Sequence, residues 1–317
     1  MKGNAWAGSM LGTLLLMAFA PLVSAQTATD AAAITTQTVS FAVGEGPEAV
    51  VFDGANIWVA NQFSNNVIKM RISDGAILGT YSTGKRPVAL VVEGTNIWVA
   101  NYLADSVTKM RAQDGIVLGT YAAGDGPGGL AFDGANIWVA NRKSNDVTKL
   151  RATDGAKLGS FAVGTRPLAV AYDGANIWVT NNQSNTVTEL QASDGSVVGT
   201  YPVGKGPFGL SFDGSNVWVA NFFSRSIMQL ASNGTVVNTV AIGDGPAGVT
   251  YAGGCLWVAN NGSNTVSKIQ QGLVVGTFAV SRGPFGVAFD GANIWVASAG
   301  TGKVSRISPA NKTASVP

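Results

Sequence analysis

The chain has 317 residues, 46% hydrophobic and only 12% charged, which excludes a disordered polyelectrolyte and allows a sizeable buried core. Its 20 Lys and Arg against 18 Asp and Glu leave a net charge of +2, which argues against a dedicated nucleic-acid domain. With no histidine and a single cysteine, Cys255, the sequence excludes Ser-His-Asp and Cys-His catalysis, His-ligated metal sites, an internal disulfide and CxxC motifs.

The first 25 residues read as a secretory signal peptide. Lys2 opens it and the apolar run Leu11–Ala20 is too short to span a bilayer comfortably. Val23-Ser24-Ala25 then supplies a small-residue cleavage site after Ala25. Residues 26–37 are a small polar linker. The expectation is a secreted or periplasmic protein, with no stable insertion in a membrane.

From residue 38 onward one unit recurs. Trp58, Trp98, Trp138, Trp178, Trp218, Trp257 and Trp295 are spaced by 40, 40, 40, 40, 39 and 38 residues. Prolines keep step at Pro47, Pro87, Pro127, Pro167, Pro207, Pro246 and Pro284, so seven repeats start near these positions and fill residues 38–317. A period of this size marks a solenoid, a propeller or an array.

The first copy predicts four short strands: Glu48–Phe52, the β-branched and aromatic Ile57–Ala60, the alternating Val67–Ile72, and Ala76–Thr83. Asp53-Gly54 and Ser73-Asp74-Gly75 supply the tight turns between them. Four antiparallel strands repeated seven times predict an all-β, seven-bladed β-propeller. The segment 38–44 resembles a fourth strand (TVSFAVG against LGSFAVG at 158–164) but precedes the first copy. It is expected to complete the last blade and close the ring; the alternative is that residues 313–316 do so.

A residue present in every copy serves what every blade needs. The seven tryptophans are expected to fill the spaces between blades. The Asp-Gly turns are expected to bond nearby backbone N–H groups and not calcium, since one carboxylate per turn falls short of the 6–8 oxygens calcium takes. Asn61 and its equivalents are expected to tie down the loop after the second strand.

Function is expected where the blades differ. The lead-in loop to the first strand and the loop between the second and third lie on one face, and both vary. They gather Phe63, Lys85, Arg86, Tyr102, Arg142, Lys143, Arg166, Phe222, Phe223, Arg225 and Arg282, with Phe208 and Phe285 at the mouth of the central channel. Aromatics beside arginines on loops are typical of partner recognition. A second feature is the pair of basic residues on the third strands of blades 1–3: Lys69 and Arg71, Lys109 and Arg111, Lys149 and Arg151. It reads mainly as a solvated outer face, with polyanion docking as an alternative.

Ile177–Val187 reads IWVTNNQSNTV, and the other copies read IWVAN or close to it. This resembles the YVTN-repeat β-propeller family, with Trp in place of the name-giving Tyr. That resemblance implies an exported or surface-associated propeller, and most members of the family have no assigned chemistry. The pattern GPFGVAFDGANIW at 283–295 is also similar to the virginiamycin B lyases, seven-bladed propellers that open cyclic depsipeptides by elimination with a histidine base and a magnesium ion held partly by glutamates. This chain has no histidine and only four glutamates, Glu45, Glu48, Glu93 and Glu189, so no catalytic residue carries over.

The sequence therefore predicts a monomeric binding or surface protein, leaning away from an enzyme. A protein, peptide or glycan partner is expected at the variable face, with no cofactor, no metal site and no catalytic residue assigned. A metal-dependent lyase or hydrolase in the channel mouth is the enzymatic alternative.

Overall fold

The computed structural model describes residues Gln37–Ser308. The signal-peptide reading and the 313–316 alternative fall outside these residues. The described residues form 28 strands in seven four-stranded antiparallel sheets, the blades of a β-propeller. Blade 1 comprises Pro47–Phe52, Asn56–Asn61, Asn66–Arg71 and Ile77–Ser82, in that spatial order from channel to rim. Each predicted strand of this copy is found within one or two residues of its expected ends. Among the described residues no helix is long and apolar enough to cross a membrane.

The last blade is built from both ends of the described chain. Pro284–Phe289, Ile294–Ser298 and Lys303–Ser308 supply three strands, and Gln37–Ala42 supplies the fourth. The pairing is antiparallel from Gln37 opposite Ser308 to Ala42 opposite Lys303. The N-terminal strand thus occupies the closing position, and the rim place in blade 7 is taken.

The tryptophans fill the seams. Trp58 is fully buried and packs with Leu90, Ile97, Val99 and Met110 of the next blade. On its own blade it stacks on Tyr81 with ring centroids 5.5 Å apart. Asp53 does more than cap its turn. Its Oδ1 accepts the Ala55 and Asn56 backbone N–H groups at 2.8 and 2.6 Å, and its Oδ2 accepts the Trp58 indole N–H at 2.7 Å. The same clamp recurs at Asp133 and Trp138, Asp173 and Trp178, Asp213 and Trp218, and Asp290 and Trp295. Each turn carboxylate is thereby committed to N–H donors and to one seam. In blade 6 the Asp position is Ala252, and Cys255, in the turn-Asn position, is buried.

Asn61 bonds across its loop as expected, its Nδ2 donating to Asn66 Oδ1 at 2.9 Å. The preceding lead-in loop has glycine where it crosses this side chain, because a Cβ at Gly44 would overlap Asn61.

Candidate functional site

The variable face is held in place by its own backbone. In blade 1 the Gln62 and Phe63 N–H groups donate to Gly46 and Glu45 carbonyls at 3.0 and 3.1 Å, and blades 2 to 6 repeat this. The two loops of each of these blades therefore form a short ladder that presents side chains rigidly. Three of the arginines sit in left-handed backbone, Arg225 (φ 53°) on a second loop and two on lead-in loops. Arg86 (φ 59°) and Arg166 (φ 56°) stand where the other five blades have Gly46, Gly126, Gly206, Gly245 and Gly283. A non-glycine residue there costs roughly 1 kcal/mol, and such strain concentrates where a side chain is needed for function.

Inside the ring of loops lies the channel mouth, a cavity of about 220 Å³ lined by the inner strands, with Glu48, Arg142, Phe208 and Phe285 among its walls. The residue after each lead-in proline sets the rim: Glu48, Val88, Gly128, Leu168, Phe208, Ala247 and Phe285. Blade 3 contributes Gly128, and that is why Arg142 can lie there, since a side chain at Gly128 would occupy its guanidinium. Arg142 NH2 reaches Glu48 Oε1 at 3.5 Å and the Gly128 carbonyl at 3.2 Å, while its buried Nε has no partner among the described residues. Glu48 and Arg142 are only 12% and 15% exposed. Burial pushes the Glu48 carboxyl above its ordinary value, against the opposing pull of Arg142 and Arg86.

Around this pair the rim divides into two arcs. On one, Tyr102 is surrounded by cations: Arg86 at 5.1 Å, Arg142 at 5.4 Å and Lys143 at 4.9 Å from its ring centroid. Arg86 also lies over Phe63 at 5.8 Å and donates from Nε to Gln62 Oε1 at 3.0 Å. On the other arc the rings touch each other. Phe208 lies 5.8 Å from Phe285 and 6.0 Å from Phe222, and Phe222 meets Phe223 edge-on at 5.2 Å. Phe63 and Phe223 are 60% and 69% exposed, unusual for phenylalanine in a folded chain.

Of the thirteen residues picked from the sequence, Phe63, Arg86, Tyr102, Arg142, Lys143, Phe208, Phe222, Phe223 and Phe285 belong to these arcs. The other four stand away from the mouth. Arg225 is exposed and paired with Asp244 at 2.7 Å. Arg282 donates to the Gly300 carbonyl at 3.1 Å, and Lys85 is exposed. Arg166 lines a separate shallow cleft with Lys205 and Phe223. Sequence reasoning missed Glu48 and Gln62 as parts of the site. Glu48 carried a signal: it is the one charged residue directly after a lead-in proline.

The titration of Glu48 gives a direct check. With its folded pKa above the unfolded value, the folded state holds the proton more tightly, so this group loses stability as pH rises through that raised pKa. Chemical denaturation of Glu48→Gln and the parent from about pH 4 to about pH 7 is expected to show the variant gaining on the parent with rising pH. A difference that stays flat would remove the burial argument.

The basic third strands are not a solvated face. Lys69, Lys109 and Lys149 are 9%, 7% and 7% exposed. Lys69 Nζ donates to the Ala112 and Gln113 carbonyls of the next blade at 2.7 and 3.1 Å, and Lys149 reaches Ala192 and Ser193 likewise. Lys109 adds an ion pair with Glu93 at 3.1 Å. The alternation misled because the fourth strand and the next blade cover this face. Arg71 and Arg151 are exposed and Arg111 is half-buried, and they pair with Asp74, Asp154 and Asp114. Polyanion docking along this row thus lacks its lysines. In blade 4 the same place holds Glu189, accepting from Tyr201 O–H at 2.8 Å and Asn176 Nδ2 at 2.7 Å. Burial raises both acids, Tyr201 to about 12.

No family model matches the chain, and no curated protein matches it. Solved structures do. Virginiamycin B lyase from Staphylococcus aureus superposes with a TM-score of 0.77 at 18% identity, over 86% of this chain and 99% of that one. The two share a fold. A catalytically inactive variant of that lyase with quinupristin gives 0.76 at 19% identity, over 86% and 99%. Hydrazine synthase from Kuenenia stuttgartiensis gives 0.74 at 18% identity, over 83% and 95%. Two such different activities on similar scaffolds mean that the lyase's chemistry does not travel with its fold. Among the described residues no three Asp, Glu or Cys side chains gather as a metal-binding group.

Proposed function

We propose that this is an exported, monomeric, non-enzymatic binding protein of the YVTN-repeat type, and that it takes an amphipathic peptide across its channel mouth. The observation that carries this reading is the two-arc rim. Arg86, Arg142 and Lys143 around Tyr102 suit a carboxylate, and the Phe208, Phe222, Phe223 and Phe285 cluster suits apolar or aromatic side chains. A ligand with both features would be fixed in orientation across the ring. Desolvated aromatic and arginine anchors of this type dominate binding energy.

The test is selection of linear and cyclic peptides on immobilised protein, followed by titration of the enriched sequences. They are expected to combine an aromatic residue with a carboxylate. Phe222→Ala with Phe223→Ala, and Lys143→Ala separately, are each expected to weaken them by about tenfold or more. Peptides that bind all variants equally would refute the mouth as the site.

An enzymatic reading rests on one observation, the buried carboxyl of Glu48 in a cavity. Turnover of a depsipeptide or lactone that is lost in Glu48→Gln would favour it over simple binding.

A further inference from the structure

The opposite face of the ring carries a second cavity, of about 330 Å³, in the seam between blades 5 and 6. Its walls include Asp213, Trp218, Gln229, Asn238, Tyr251 and Gln271. What makes this seam distinctive is visible from its neighbours. In five seams a cation of the chain itself lies over the tryptophan: Lys69 over Trp58 at 5.5 Å, Lys109 over Trp98 at 5.2 Å, Lys149 over Trp138 at 4.9 Å, Lys268 over Trp257 at 5.2 Å and Arg306 over Trp295 at 5.6 Å. The corresponding cleft between blades 1 and 2, about 350 Å³, has the Lys69 side chain in its wall.

In blade 5 the residue paired with the tryptophan is the neutral Gln229. The aromatic of the fourth strand is gone as well. Where Tyr81 lies across Gly79 and covers Gly115 of the next blade, blade 5 has Val240, with Asn238 in the glycine's place. Trp218 is consequently the one repeat tryptophan that, among the described residues, has neither a stacked ring nor a cation over it, and it is 5% exposed where most of the others are fully buried. Its indole N–H is still held by Asp213 Oδ2 at 2.6 Å, so the ring keeps the same fixed position as its homologues. Asp213 is the only Asp, Glu, Lys or Arg among the described residues of the wall, which makes the cavity acidic.

We propose that this seam binds a primary alkylammonium group, seated over Trp218 where the other seams hold a lysine of the chain. The indole face supplies cation–π attraction in a partly desolvated cleft. The Asp213 carboxylate supplies charge, and the amide oxygens of Gln229 and Gln271 can accept the ammonium's hydrogens. A free amine and the lysine of a partner peptide share this chemistry.

The experiment follows the tryptophan indole N–H resonances of the full chain during titration with n-butylammonium, with butanol as the neutral isostere and Gly-Lys-Gly as the peptide form. Butylammonium is expected to shift the Trp218 signal saturably, and butanol is not. Gln229→Lys supplies the cation internally, as blades 1–3 do, and is expected to weaken butylammonium by about tenfold or more and to raise the melting temperature. Asn238→Gly with Val240→Tyr restores only the stacked ring and is expected to retain binding, because ring and cation coexist in the other seams. Tighter binding of Gly-Lys-Gly than of butylammonium would mark a partner's lysine as the occupant, and the reverse a free amine. Equal shifts with butanol, unchanged affinity in Gln229→Lys, or no shift at Trp218 would each overturn the proposal.

Discussion

Trp138→Ala is expected to lower the unfolding free energy by about 3–5 kcal/mol, the range for deleting a large buried aromatic. Trp138 is fully buried and packs with Val170, Ile177, Val179 and Leu190 of the next blade. It stacks on Phe161 at 5.6 Å, lies under Lys149 and donates to Asp133 at 2.7 Å. Alanine would open a cavity at a seam, where both blades lose contacts and neither can close alone. Trp138→Phe keeps most of the ring and loses the indole bond, for a smaller cost of about 1–3 kcal/mol. Urea unfolding of the two variants checks the ordering. An alanine variant as stable as the phenylalanine one would mean that the tryptophan is not what joins the blades.

Lys109→Ala should be nearly as damaging, at about 3–5 kcal/mol, because it strands a partly buried carboxylate. Lys109 Nζ lies 3.1 Å from Glu93 Oε2, 2.6 Å from the Ala152 carbonyl and 5.2 Å from the Trp98 ring. Lys149 donates to two carbonyls where Lys109 donates to one, and it has a similar cation–π contact, but blade 3 has Asp133 clamped to its tryptophan where blade 2 has Glu93. Lys149→Ala is therefore expected to cost less, about 1–3 kcal/mol from unsatisfied carbonyls and lost packing. Denaturation of both variants side by side separates the ion pair from the hydrogen bonds. Equal losses would show that the Glu93 ion pair contributes no more than the second carbonyl bond of Lys149.

The architecture was legible because one unit is written seven times, so each strand and turn is stated repeatedly and accidental residues stand out. The tryptophan clamp could also have been read, since Asp stands five residues before Trp in five copies. The burial of Lys69 could not. Period-two alternation reports which side of a strand a residue faces, and here the second side is covered by a neighbouring blade. The pair of Glu48 and Arg142 was hidden for a different reason. The residues lie 94 positions apart and meet only because the ring brings the first and third blades to one mouth. Phe208 and Phe285 were found because the residue after each proline has a fixed place on the rim. The loss of both ring and cation at Trp218 is also written in the repeat, as Gln229 and Val240, and becomes meaningful once the other seams show what those positions do.

Closure by Gln37–Ala42 also fixes an order of events. Blades 1 to 6 are each contiguous in the chain and can form as they emerge, but the seventh joins the earliest and the latest strands. Ser40 Oγ meets Ser305 Oγ at 3.0 Å across 265 positions. The seventh blade therefore cannot be completed until Lys303–Ser308 has been made, and its last pairing joins the two strands furthest apart among the described residues. Until then the rim edge of Lys303–Ser308 stays unpaired, and it is in that interval that neighbouring chains could exchange strands.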